Sequence, residues 1–156
     1  APLLHLSVAS AIDLRIADGG DDAEQHLGDG SMDIGSSDLE IPYEDAGNPA
    51  TDEQVVGLRF VGVPVDKGGP VTAAYVELEV DSVSKEGSAN PVNLVIEGEL
   101  VPDAAAFADV ANNITDRASR TTAKVKWSIP VNLSVPSRID VDASSSRIVF
   151  LKSSAP

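Results

Sequence analysis

The chain has 156 residues, no cysteine, and a formal charge of −14 from 25 acidic and 11 basic residues. The absence of thiols excludes cysteine catalysis, disulfide bonds and thiolate metal sites, and the negative field disfavours nucleic acids and anionic membrane surfaces. A hydrophobic fraction of 42% is too high for a disordered acidic chain, and no apolar run reaches the roughly 20 residues of a membrane span. The sequence therefore predicts one folded domain over residues 1–156, without nucleic-acid binding or membrane insertion.

Alternation of apolar and polar residues predicts β-strands along most of the chain. At the amino end, residues 4–8 and 12–16 indicate one or two strands. Further strands are predicted at residues 56–60, 72–80, 92–96, 123–127, 139–141 and 147–151. In residues 72–80, Val76 and Leu78 face one way while Tyr75 and Glu77 face the other, which is the pattern of a half-buried strand.

Residues 102–110 are the one segment that favours a helix. Pro102 suits a first helical turn, and the alanines at 104, 105 and 106 favour its propagation. We expect this short helix to cap one end of the sheets. Because short strands recur with Gly and Pro turns between them, the predicted fold is all-β. It is a two-sheet antiparallel β-sandwich, jelly-roll-like, with at most one or two short helices.

Several segments keep the order and spacing of a known kind of extracellular domain. They lie at residues 16–24, 36–40, 56–60, 71–76, 113–117 and 123–127. Together they resemble a β-sandwich module of bacterial and algal surface proteins, which is similar to carbohydrate-binding jelly rolls of the DNRLRE type. The resemblance ends after Trp127, where the module's usual helix and further strand are not matched. It implies a non-catalytic, secreted or cell-surface binding domain.

Acidic residues are concentrated in the first third of the chain. Between Asp13 and Glu53 lie eleven further Asp or Glu residues, with Arg15 the only base. In segment 18–24, clustered carboxylates with glycine suit Ca²⁺, a hard cation that takes six to eight oxygen ligands. A structural Ca²⁺ near the first strand is also what the jelly-roll resemblance implies. The predicted ligands are Asp18, Asp22 and Glu24, with Asp81 and Glu99 from neighbouring strands. The alternative is a solvated acidic loop.

Glycan recognition by ring stacking needs exposed aromatic side chains, and only 4% of the residues are aromatic. Trp127 lies on the same face of its strand as the apolar residues Ala123 and Val125, and Phe60 is placed in the same way in its own strand. We therefore expect both in the core. Tyr75, on the polar face of its strand, and Tyr43, in an acidic loop, are the predicted ligand-binding residues.

The sequence contains no motif that predicts catalysis. A nucleophile elbow is absent, His5 and His26 are the two histidines, and acidic pairs are too abundant for any one to stand out. We therefore expect a non-enzymatic module that binds polysaccharide or glycan outside the cell or at its surface, or in an organelle lumen. A structural or assembly subunit, packing against other proteins in a larger complex or surface fibre, is the alternative that the low aromatic content favours.

Overall fold

The computed structural model describes residues 11–16, 18–44, 53–65, 74–79, 92–129, 137–140 and 148–153. Within these ranges the chain forms eight strands and no helix. The strands are β1 Asp22–His26, β2 Met32–Asp33, β3 Gln54–Arg59, β4 Tyr75–Leu78, β5 Val92–Glu99, β6 Arg120–Ile129, β7 Ser137–Asp140 and β8 Ile148–Ser153. The prediction of an all-β fold is confirmed over this part of the chain.

The strands form two antiparallel sheets. The larger sheet has the order β2-β1-β3-β8-β5-β6, and the smaller sheet consists of β4 paired with β7. The late strand β8 lies between β3 and β5, so Leu151 pairs with Val56 on one side and with Ile96 on the other. β8 thereby joins the two halves of the larger sheet.

Most of the predicted strands are confirmed. The six segments predicted between residues 56 and 151 overlap β3 to β8 in order, with ends that differ by a few residues. Residues 12–16 form no strand: Ile12 and Leu14 are exposed, while Ile16 packs against apolar residues of the larger sheet. The strand predicted at residues 4–8 lies outside the described residues.

Strand β3 is buried on both faces of the larger sheet. Val56 and Leu58 point to one face, where Ile96 of β5 and Val76 of β4 complete a buried cluster. We call this the β4 face. Val55 alternates to the opposite face, as the two-residue period of a strand requires. The run from 54 to 58 is therefore buried throughout, unlike the half-buried alternation expected from the sequence.

The opposite face is covered by residues 100–119, which we call the covering segment. Its buried side chains Ala104, Phe107 and Ile114 pack against Ala23 of β1 and Val55 of β3. Ile114 is completely buried. The covering segment therefore supplies the apolar layer on this face of the sheet that a helix or another sheet would otherwise provide. It does so without regular secondary structure.

The prediction of a helix at residues 102–110 is wrong. The carbonyls in this segment are bound by arginine side chains instead of by amides one helical turn later. Arg59 Nε donates to the carbonyl of Ala104 at 2.8 Å. The two terminal nitrogens of Arg117 donate to the carbonyls of Ala105 and Ala106, each at 2.9 Å. Tertiary partners thus override the weak local preference of the alanines for a helix.

Arg117 also holds the covering segment together from within. Its guanidinium lies 4.5 Å from the centre of the Phe107 ring, within the range of a cation–π contact. It pairs with Glu99 at 3.2 Å and donates from Nε to the carbonyl of Asn113 at 3.0 Å. A single side chain therefore links the end of β5 to both halves of the segment.

Gln25 of β1 fastens the turn at residues 111–116 to the sheet. Its Oε1 accepts hydrogen bonds from the backbone amides of Ile114 at 3.0 Å and Thr115 at 2.9 Å. Its Nε2 donates to Thr115 Oγ1 at 2.8 Å and to Asn112 Oδ1 at 3.3 Å. Since Gln25 is 1% exposed, water cannot replace these partners without disturbing the packing.

Gly57 provides the space that Phe107 occupies. A Cβ atom on residue 57 would lie 2.4 Å from Phe107 Cζ and 3.2 Å from Ile114 Cδ1. The first distance is well inside van der Waals contact, so the aromatic ring rests directly on the backbone of β3.

We predict that Gly57→Ala destabilises the domain by about 1–3 kcal/mol, because the added methyl overpacks against a buried ring. Gly35→Ala is the matched control. A Cβ there meets no atom closer than Asp33 Oδ1 at 3.9 Å, so we expect a change within about 0.5 kcal/mol. Urea unfolding of both variants measures the difference, and equal midpoints would contradict the close approach of Phe107.

We predict that Gln25→Leu destabilises the domain by at least about 2 kcal/mol, because the amides of Ile114 and Thr115 lose their buried acceptor. Thr122→Val, a loss of a polar group at an exposed position of β6, is the control and is expected to be near neutral. The same urea titration applies. A Gln25→Leu variant as stable as the control would mean that the turn is held by apolar packing alone.

Candidate metal centre

The acidic segment at residues 18–24, predicted as a loop, is a turn at residues 18–21 that leads into strand β1. Asp22 to His26 form β1, and Ala23, Glu24 and Gln25 are each no more than 2% exposed. Its polar sequence gave no apolar alternation from which a strand could be predicted. Alternate side chains of β1 go to opposite faces, so Glu24 lies on the β4 face while Gln25 lies on the face of the covering segment.

Three carboxylates converge on the β4 face, near the end of the larger sheet that β2 and β1 form. Glu24, Glu40 and Glu44 each offer an oxygen, and these oxygens all lie within 4.8 Å of one another. We call these residues the glutamate cluster. Glu40 and Glu44 come from the segment after β2, which returns across β1 so that the Glu40 amide donates to Glu24 Oε1 at 2.6 Å. The cluster therefore depends on tertiary folding between residues 16 and 20 positions apart in sequence.

Glu24 is the buried member of the glutamate cluster. Burial raises its pKa to about 8, and the neighbouring carboxyls of Glu40 and Glu44 act in the same direction. The hydrogen bond from the Glu40 amide opposes this shift without cancelling it. A carboxyl in this position holds a proton at neutral pH unless a cation replaces the proton.

Two further polar groups border the cluster. Gln54 of β3 is 1% exposed and donates from Nε2 to Glu44 Oε2 at 2.7 Å, while its Oε1 is buried without a hydrogen-bond partner. His26 Nε2 lies 3.6 Å from the same Glu44 oxygen. The Glu44 side chain is 44% exposed, so the cluster runs from a buried carboxyl to one that reaches solvent.

Of the predicted metal ligands, Glu24 alone belongs to this cluster. Asp18 Oδ1 accepts the amide of Gly20 at 3.0 Å in a local turn, and Glu99 pairs with Arg117. Asp22 lies on the same face of β1 as Glu24, and burial raises its pKa. Asp81 lies outside the described residues.

The predicted aromatic residues separate into exposed and packed positions. Tyr43 is 36% exposed and forms an isolated bridge with Glu53, directly before Glu44. Tyr75 begins β4, and its side chain lies outside the described part of the structure. Trp127 and Phe60, expected in the core, are partly buried and pack against the buried cluster of the β4 face.

Glu40, Glu44 and Gln54 were not predicted as site residues. The sequence shows their acidity but not that the chain after β2 folds back over β1. The one usable signal was the density of acidic residues in the first third of the chain. That signal marked the region without distinguishing surface carboxylates from converging ones.

Comparison with known proteins finds no match to the chain among protein-family models, curated proteins or solved structures. The resemblance to DNRLRE-type modules therefore stays a prediction. Within the described ranges, no helix has the length and apolar character needed to cross a membrane.

We predict that the domain in metal-free buffer loses stability as pH rises, through the titration of Glu24. The folded state keeps a proton up to a pKa of about 8, against an ordinary value of 4.5. The contribution of protonated Glu24 to the free energy of unfolding is therefore fully present below about pH 4.5. It declines as the pH rises toward 8, by at most about 1.4 kcal/mol per pH unit.

Glu24→Gln mimics the protonated carboxyl and should not show this decline. Urea unfolding at pH 5, 6, 7 and 8 with a chelator measures the difference between the two proteins, since titrations elsewhere cancel. Parallel pH profiles for the wild type and Glu24→Gln would contradict the raised pKa.

Proposed function

We propose that this chain is a non-catalytic binding module with glycan as its ligand class, working outside the cell or at its surface. The fold we propose is a jelly-roll-like β-sandwich. Two antiparallel sheets support it, because Val76 of the smaller sheet packs against Val56, Leu58 and Ile96 of the larger one. Such sandwiches present rigid edges and loops on which ligands can be bound.

The observation that carries the proposal is the exposure of two consecutive residues of suitable chemistry, Tyr43 and Glu44. An aromatic ring provides an apolar face for a sugar ring, and a carboxylate accepts hydrogen bonds from hydroxyls. The segment that carries them is fixed at the start of β3. The backbone amide of Gln54 donates to the Pro42 carbonyl at 2.8 Å, and Tyr43 forms an isolated β-bridge with Glu53. The pair is therefore positioned before ligand arrives, which limits the entropic cost of binding.

The buried titratable group of the site is unsuited to catalysis. A general acid must reach the atom that it protonates within hydrogen-bond distance. Glu24 has the raised pKa of such an acid, but it is 1% exposed beneath Glu40 and Glu44. This burial supports a role in holding the site together rather than in contacting substrate.

We predict that Tyr43→Ala weakens glycan binding about tenfold or more, as expected when an aromatic anchor is removed. The test is a glycan array with the immobilised domain, followed by titration of the best ligand. Val110→Ala, which shortens a 60% exposed apolar side chain on the covering segment, is the control and should bind as the wild type does. Tyr75→Ala is assayed in parallel.

If Tyr43→Ala binds glycan as tightly as the wild type, the glycan site does not include Tyr43. A wild-type domain that binds no glycan would reject the proposal.

A structural or assembly subunit is the second candidate. Among the large apolar side chains of the described residues, Val61, Leu100 and Val110 are more than half exposed. An open depression of about 330 Å³ adjoins Val110 and is lined also by Glu99 and Arg117. Exposed apolar side chains of this kind suit contact with another protein. Self-association in sedimentation velocity that Leu100→Glu abolishes, with no glycan bound, would favour this candidate over the first.

A further inference from the structure

We propose that the glutamate cluster, together with Gln54 Oε1, binds one hard divalent cation, for which Ca²⁺ is the best fit. The ligands would be carboxylate oxygens of Glu24, Glu40 and Glu44 and one amide oxygen. This site shares Glu24 with the ligand set predicted from the sequence and takes its remaining members from different elements. Glu44 belongs both to this site and to the proposed glycan site, and binding of the cation is measured without glycan.

The spacing of the carboxylates fits a single ion. Ca²⁺ binds oxygen at about 2.3–2.6 Å, so two ligands on opposite sides of the ion lie roughly 4.8 Å apart. The three carboxylate oxygens lie within 4.8 Å of one another. Small side-chain rotations would therefore bring all three to bonding distance of a common centre.

The amide of Gln54 is the second and independent observation. Its Oε1 is buried and has no hydrogen-bond partner, although most buried polar atoms in proteins are satisfied. Its Nε2 is bound to Glu44 Oε2, which places the same amide against the cluster. Exchanging the two amide atoms would turn oxygen toward the Glu44 carboxylate, so reorientation cannot satisfy the group. A cation at the cluster would supply the missing partner for the oxygen.

The composition of the site selects the kind of ion. Carboxylate and amide oxygens are hard ligands, which favour Ca²⁺ over softer metals that prefer nitrogen and sulfur. Four protein oxygens leave coordination positions open for water, since Ca²⁺ takes six to eight ligands. Solvent can reach these positions past Glu44, whose side chain is 44% exposed. The strict octahedral geometry of Mg²⁺ is harder to meet with side chains from three separate segments.

The charges on the cluster also favour a cation. Glu24 is buried within a chain of net charge −14, and carboxylates that converge in a medium of low dielectric repel strongly. Within the described part of the chain, the arginine and lysine side chains that form salt bridges pair with acidic residues outside the cluster, while His26 Nε2 lies 3.6 Å from Glu44 Oε2. Arg59 pairs with Asp21, and Arg117 with Glu99. A divalent ion would neutralise two of the three carboxylate charges.

The test is isothermal titration of the chelator-treated, full-length chain with CaCl₂, with NaCl at matched ionic strength and MgCl₂ as comparisons. We expect one Ca²⁺ per chain, weaker binding of Mg²⁺ and no saturable heat from Na⁺. Glu44→Gln should weaken Ca²⁺ binding at least tenfold. Because Glu44 is exposed, this variant should still fold, and circular dichroism without metal verifies that it does.

Glu79→Gln is the matched control, since it removes the same charge from an exposed position outside the cluster. It should bind Ca²⁺ within about twofold of the wild type. The proposal is overturned if the wild type shows no saturable binding of Ca²⁺, if NaCl at matched ionic strength gives the same saturable heat, or if Glu44→Gln and Glu79→Gln weaken binding equally. Each of these outcomes would leave a surface that merely attracts counter-ions.

Discussion

The hydrogen bonds of the Gln25 carboxamide are the interaction on which one whole face of the larger sheet depends. The covering segment has no helix or strand to satisfy its own amides, so its central turn takes its acceptor from β1. All four contacts of this carboxamide join residues about 90 positions apart. The burial of Phe107 and Ile114 over β3 therefore requires that β1 is already in place. A buried polar group fixes the fold here because it is completely paired.

Glu24 and Gln25 are neighbouring buried polar residues whose surroundings differ. Gln25 has a partner for each amide atom, whereas Glu24 faces two other carboxyls on the β4 face. Titratable groups whose pKa is shifted by burial and by neighbouring charges cluster at functional sites. This contrast is the reason for placing the proposed cation on the β4 face and assigning the other face to stability.

The sequence predicted strands such as β4 and β5, because apolar and polar residues alternate along them and this period of two indicates which side chains are buried. It did not predict β1, where a buried Glu and Gln replace the usual apolar residues. The alanines after Asp103 favoured a helix, but Arg59 and Arg117 occupy the carbonyls that a helix would use. Local preference is weak compared with such charged hydrogen bonds.

For the candidate site, composition located the region and Glu24 but not its partners. Glu40 and Glu44 reach Glu24 through the return of the chain after β2, and Gln54 reaches Glu44 across the β1–β3 pair. These contacts depend on strand register, which a single sequence does not specify for polar strands. Tyr43 was predicted as a ligand-binding residue from its residue type and its place in an acidic segment, and the structure adds that it is exposed.

The position of β8 has a consequence for the way the protein comes into being. Residues 148–153 separate β3 from β5, so the larger sheet stays in two parts until that stretch has left the ribosome. Until then β3 and β5 present unpaired edges, which are prone to join with strands of other nascent chains. The larger sheet is thus expected to be completed only after residues 148–153 have been made, and the many acidic residues of the first third of the chain would help to keep incompletely folded copies apart.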